Sequence, residues 1–105
     1  MTIHGIDLDS KAIRDFCLKW KINELSVFGS ILRDDFRSDS DINFLVYYEP
    51  DATWDLYDVE VMRHELAKLM GRRVDLISRS AIERSDNRFV KKEVLSSAEP
   101  VYAKR

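Results

Sequence analysis

The sequence predicts an α/β fold, a small mixed β-sheet with helices packed on it. Three observations carry this. Short runs rich in β-branched and aromatic residues alternate with stretches whose apolar residues recur every three or four positions. The elements follow one another as helix, strand, short turn, strand, helix, strand, helix, an order that places helices against a sheet. No internal repeat, low-complexity tract or linker divides the 105 residues. That length is usual for one domain, so residues 1–105 are expected to form a single one.

Residues 1–8 carry little signal. Asp9 or Ser10 can cap a helix running to about Lys19 or Trp20. Ile13, Phe16, Cys17 and Trp20 share its inner face, which makes Cys17 a small buried apolar side chain. Residues 24–28 read as a strand, and Gly29-Ser30 breaks it. Ser30 to about Asp34 reads as a helical turn, and Asp34 to Ser40 as a polar loop. Residues 41–48, Asp-Ile-Asn-Phe-Leu-Val-Tyr-Tyr, form a second strand that Glu49-Pro50-Asp51 ends. Thr53 is the expected N-cap of a long helix to about Met70. Its apolar stripe is Leu56, Val59, Met62, Leu66, Leu69 and Met70, and Gly71 suits the C′ position. Arg72 to Ser78 is the third strand. Ser80-Ala81-Ile82-Glu83 matches a capping box, so a further helix is expected to start there. Phe89, Val90 and Val94 define a helical face to about Ser97. Pro100 closes it, and Val101-Tyr102 can add an edge strand.

Composition narrows the function classes. Hydrophobic residues make up 45% of the chain, enough for one modest core. Charged residues make up 34%, with both signs mixed and a net charge of −2, which argues against an extended nucleic-acid surface. A site for one nucleotide needs only local charge and is not excluded. No apolar run approaches the roughly 20 residues of a membrane span. Met1 to Asp7 shows no secretory signal. Cys17, the single cysteine, cannot form an internal disulfide. A reducing, cytoplasmic location is expected. Two histidines and one cysteine do not suggest structural zinc.

The candidate chemistry lies in residues 25–46 and at Asp75. Gly29 allows backbone to approach a phosphate closely, and Ser30 adds a hydroxyl. Strand alternation puts Asp41 and Asn43 on one face and Ile42 and Phe44 on the other. Asp75 stands mid-strand between Val74 and Leu76, in a segment expected to be buried, where a lone carboxylate needs a metal ion or an arginine beside it. Magnesium takes oxygen ligands and bridges carboxylates to substrate phosphates. A pair of such ions serves both the attacking and the leaving oxygen of a displacement. Arg33 can contact phosphate or form a surface ion pair with Asp34 or Asp35.

Gly29-Ser30, ten residues, then Asp41-x-Asn43 resembles the G-S-x10-D-x-D signature of the polymerase-β-like nucleotidyltransferase superfamily, most closely its minimal nucleotidyltransferase (MNT) group. Phe28 to Arg33, Ser40-Asp41-Ile42, Arg73 to Ile77 and the ending from Glu93-Val94-Leu95 to Pro100-Val101-Tyr102 are similar too, so the likeness covers roughly residues 10–103. It implies that Asp41, the residue at position 43 and Asp75 hold two Mg²⁺ ions. It further implies that Gly29 and Ser30 hold the nucleotide phosphates and that Asp75 helps deprotonate the acceptor hydroxyl. The implied reaction moves a nucleoside monophosphate, AMP from ATP, to a hydroxyl. The implied role is that of an antitoxin paired with an HEPN-domain ribonuclease toxin and modifying its tyrosine, in a homo- or hetero-oligomer.

Asn43 departs from that pattern. Removing one charge ~3 Å from a dication forfeits on the order of 10 kcal/mol of gross Coulomb energy at an effective dielectric of about 20, much of it returned by relieved repulsion and desolvation. Asp39 can supply the charge if the strand extends that far; otherwise it is a loop residue. The rival reading is a domain that keeps the fold and neutralises its partner by binding alone. Tyr47, Tyr48, Trp54 and Tyr57 can form a partner surface or be ordinary packing.

Overall fold

A computed structural model describes residues 1–104. The chain opens with a hairpin of two short strands, β1 (Thr2–Ile3) and β2 (Ile6–Asp7), then helix α1 (Lys11–Lys19) and strand β3 (Ile22–Phe28). A 3₁₀ turn, Gly29–Leu32, leads through the loop to β4 (Ile42–Tyr48). Helix α2 (Leu56–Met70), β5 (Val74–Ser78), α3 (Arg79–Glu83), α4 (Arg88–Ser97) and β6 (Glu99–Ala103) follow.

The main sheet has the order β5-β4-β3-β6. β3 pairs antiparallel with β4 and with β6, and β4 pairs parallel with β5. The expected mixed α/β fold is thus present. Register assigns the faces. Val27 lies opposite Phe44 and Leu25 opposite Val46, while Ile42 pairs with Val74 and Phe44 with Leu76. These residues form the core face with Ile13, Phe16 and Cys17 of α1 and Met62 and Leu66 of α2. The other face carries Glu24, Ser26, Asn43, Leu45, Tyr47 and Asp75, and only Ser26 and Leu45 of these are buried.

Local chemistry explains most boundaries. Ser10 caps α1, its hydroxyl accepting from the Ile13 N–H at 3.3 Å. Gly71 ends α2 at φ +70°, in the left-handed region that glycine enters at little cost. Three expectations are corrected. The N-cap of α2 is Asp55 rather than Thr53: its carboxylate accepts from the Asp58 N–H at 2.9 Å, and Asp58 returns the bond to the Asp55 N–H. Two carboxylates at the positive end of a helix dipole hold the start better than one hydroxyl. The helix after β5 begins at Arg79 under a Ser78 cap, so Ser80 lies inside it. Leu56 is 90% exposed, Phe89 78% and Leu69 43%. Helices α2 and α4 meet the core over a narrower arc than their apolar patterns suggest, and in α4 only Val94 is buried.

Burial has a titration consequence. Desolvation pushes the Cys17 thiol and the Tyr48 phenol each up to about 12. The folded chain therefore holds these protons more tightly than the unfolded chain, which releases them at ordinary thiol and phenol values. Stability is unaffected below the unfolded values and falls as pH rises from about 9 toward 12. Thermal melts across that range should show a falling Tm, and a thiol reagent at neutral pH should leave Cys17 unmodified until the protein unfolds. No helix of the described residues is long and apolar enough to cross a membrane.

Candidate active site

Three of the candidate residues, Gly29, Asn43 and Asp75, meet where the turn after β3 joins the sheet. Gly29 follows the last residue of β3 with φ +79°, a conformation that side chains rarely tolerate. Phe28 lies opposite Asn43 in the β3–β4 ladder. A Cβ on Gly29 would stand 2.6 Å from the Asn43 amide nitrogen. Glycine is therefore required twice, for its backbone angle and for the side chain across the ladder. Asn43 is in turn the register partner of Asp75 on β5, with backbones about 4.8 Å apart.

Asp41 immediately precedes β4, two residues before Asn43. Its side chain is 39% exposed overall, yet its Oδ1 is fully covered and accepts no hydrogen bond. The Arg73 Nε lies 3.1 Å from that oxygen without the alignment of a hydrogen bond. A covered carboxylate oxygen without a donor suits a cation. Asp75 differs from expectation: it is exposed, because β5 is an edge strand and helices do not cover this part of its outer face. It needs no partner to offset burial. The Arg63 guanidinium is held protonated chiefly by donating to the Glu60 carboxylate, and the Asp75 charge adds to that.

Arg33 ends the 3₁₀ turn, its N–H donating to the Ser30 carbonyl at 2.9 Å. Its guanidinium pairs with Asp35, Nε to Oδ1 at 3.2 Å, with both side chains exposed. That is the ion-pair alternative, and exposed pairs of this kind are weak enough to yield to a phosphate. Asp39 is exposed in the loop before β4 and is not a strand residue. The tyrosine cluster divides. Tyr47 and Tyr57 are exposed, whereas Tyr48 and Trp54 pack against the core. The Arg79 guanidinium lies 5.3 Å from the Tyr47 ring centre.

Sequence reasoning missed a cleft beside the Gly29 turn. Gly29, Leu32 and Arg33 line a cleft of about 380 Å³ with Glu93, Ser97 and Glu99. Glu99 reaches it because β6 pairs with β3, setting Glu99 opposite Val27. Only that long-range pairing announces Glu99, while Glu93 and Ser97 come from α4.

The donor set offers hard oxygens, two carboxylates and an amide, which fits a magnesium-type cation. It lacks the third negative ligand: among the described residues no group of three His, Cys, Asp or Glu side chains is placed to hold a metal.

Residues 9–100 match the family profile described as "Nucleotidyltransferase domain". The chain belongs to this nucleotidyltransferase family. Two relatives place the domain further. A Methanocaldococcus jannaschii protein, MJ1217, provisionally named a protein adenylyltransferase, is 36% identical over 77 residues, 72% of each chain. Protein adenylyltransferase MntA of Thermococcus cleftensis is 31% identical over 77 residues, 73% of this chain and 76% of that one. Among solved structures, a provisionally named minimal nucleotidyltransferase superposes with a TM-score of 0.67 at 30% identity, covering 92% of this nucleotidyltransferase and 98% of that chain. The complex of an MNT antitoxin with a tri-AMPylated Shewanella oneidensis HEPN toxin shares the fold, with a TM-score of 0.56 at 22% identity over 90% of this chain and 66% of that one.

Proposed function

We propose that this nucleotidyltransferase transfers AMP from ATP to a hydroxyl of a partner protein, a tyrosine of an HEPN-type toxin, and acts as its antitoxin in the cytoplasm. The observation that carries the reading is the meeting of Gly29, Asn43 and Asp75 across three neighbouring segments, with the unbonded oxygen of Asp41 two residues before Asn43 in the chain. The relatives' names as protein adenylyltransferases favour a protein acceptor and an adenylyl donor. The shared fold of the antitoxin seated on an AMPylated HEPN toxin favours that partner.

In this reading Asp41, Asp75 and the Asn43 carbonyl oxygen hold Mg²⁺, one ion firmly and a second weakly. The metal would neutralise phosphate charge and lower the barrier to attack at the α-phosphorus. Gly29 and Ser30 cradle the phosphates, and Arg33 leaves Asp35 to contact them. Asp75, exposed at the sheet edge, takes the proton of the acceptor hydroxyl. The acceptor oxygen then bonds to the α-phosphorus as the bond to pyrophosphate breaks. Glu93 and Glu99 repel a bare triphosphate, so the cleft favours a nucleotide that arrives already paired with a cation.

Asn43 favours a second reading, neutralisation of the partner by contact alone. Incubation with labelled ATP, Mg²⁺ and the co-encoded partner separates the two. Transfer of label to the partner is expected. No transfer, even by the Asn43→Asp protein, would sink the enzymatic reading, and toxin neutralisation that survives Asp41→Ala and Asp75→Ala would establish the other.

A further inference from the structure

The N-terminal hairpin precedes the segment that matches the family, yet it reaches the candidate site. Its turn carries His4 at φ +52° and Gly5 at φ +76°, the positive angles of a tight hairpin turn. Histidine pays for such an angle, and a residue so held persists where its surroundings fix it. Three contacts do so. The His4 Nε2 lies 3.0 Å from the Arg33 carbonyl. That oxygen only accepts, so Nε2 carries the proton. The His4 ring stacks on Phe36, with centroids 4.9 Å apart and planes 23° from parallel. The Arg72 guanidinium lies 4.7 Å from the same Phe36 ring. Arg72 also donates to the Arg37 carbonyl at 3.1 Å and to the Ser40 carbonyl at 3.0 Å. Ser40 is the residue before Asp41, and the Ser40 hydroxyl accepts from the Arg37 N–H at 2.9 Å.

We infer that His4, Phe36 and Arg72 are positioning residues of the nucleotide site. Together they clamp the loop of residues 33–40 at both ends, so that Arg33 and Asp41 face the nucleotide at a fixed separation. The inference rests on the nucleotide reading above. None of the three touches the reacting atoms; they act through the loop. A polar eight-residue connection would otherwise be free to move, and misplacement by about 1 Å can cost a site as much as 10²-fold. The hairpin is itself fixed to the body, with Leu8 fully buried and Ile3 and Ile6 packed on the core, so His4 ties the loop to a rigid point.

The test compares His4→Phe, which keeps a stacking ring and removes the donor, with His4→Gln, which keeps an N–H donor. Phe36→Leu leaves the hairpin untouched and removes the shared ring. Amide exchange of residues 33–40 is measured without nucleotide, and the Kd for Mg·ATP by calorimetry. His4→Phe and Phe36→Leu should speed exchange in the loop about tenfold and weaken Mg·ATP about fivefold. His4→Gln, which keeps the donor without the ring, should restore both in part, and combining His4→Phe with Phe36→Leu should add little. Unchanged exchange in both single variants overturns the clamp. Faster exchange with an unchanged Kd overturns its reach to the site. If the unaltered protein binds no Mg·ATP, the nucleotide reading itself fails, which is visible before any variant is made, and exchange alone then decides whether the clamp exists.

Discussion

Asp41→Ala should lower AMP transfer by at least about 100-fold, the scale of losing a principal electrostatic contact in an active site, while leaving the fold intact. The Asp41 Oδ1 is covered and unbonded, so it gives the folded protein little in the absence of a cation. Its ionic neighbour Arg73 is 78% exposed, and pairs with so exposed a partner contribute about 0–1 kcal/mol. Asp75→Ala should behave alike, because Asp75 is exposed on an edge strand. Label transfer measured beside a thermal melt checks both. Transfer at the unaltered rate by Asp41→Ala would remove Asp41 from the site. Loss of activity together with a large drop in Tm would show that the residue matters for folding instead.

Asn43→Asp should tighten Mg²⁺ binding by about tenfold or more, since the added charge lies within a few ångströms of the cation. Transfer should rise with it. The change is nearly isosteric, and the Gly29 backbone already accommodates a planar group at that place. Without metal, the new carboxylate adds repulsion next to Asp75, so the metal-free variant should melt lower than the unaltered protein. With saturating Mg²⁺ the order should narrow or reverse, because ligand binding to the folded state stabilises it. Calorimetric titration and paired melts read this directly. Equal Mg²⁺ affinity in the two proteins would show that position 43 does not face the ion.

Much of the fold was legible because its signals are local. Apolar spacing in Ile13, Phe16 and Cys17 and alternation in Ile42, Phe44 and Val46 each report which side of an element is buried. Gly71 marked the end of α2 by its chemistry alone. The hairpin at residues 2–7 was invisible because two-residue strands are too short to show a period. Capping failed where candidates compete: Thr53 against Asp55, Ser80 against Ser78. There the winner depends on where the chain leaves the sheet. At the site, Asp41 and Asn43 share a face by simple alternation. The exposure of Asp75 was not legible, because it depends on β5 lying at the sheet's edge. Glu99 enters the cleft through the β3–β6 pairing, which spans about seventy residues of chain and leaves no local trace.

The parallel pairing of β4 with β5 also bears on how the protein acquires its site during folding. β3, the turn at Gly29 and β4 are sequence neighbours and can zip together early as an antiparallel pair. β5 joins only after the chain has run through α2 and come back in the same direction, and such crossover pairings close larger loops and form more slowly. By loop length Asp75 is expected to reach Asn43 after β3 and β4 have paired, with β6 closing a still longer loop onto β3. In the reading proposed above, a chain that has not yet added β5 would lack its second carboxylate and should hold metal-bound nucleotide poorly. Ligand capture would then depend on β5 having joined the sheet, and nucleotide in solution would trap only molecules in which it has.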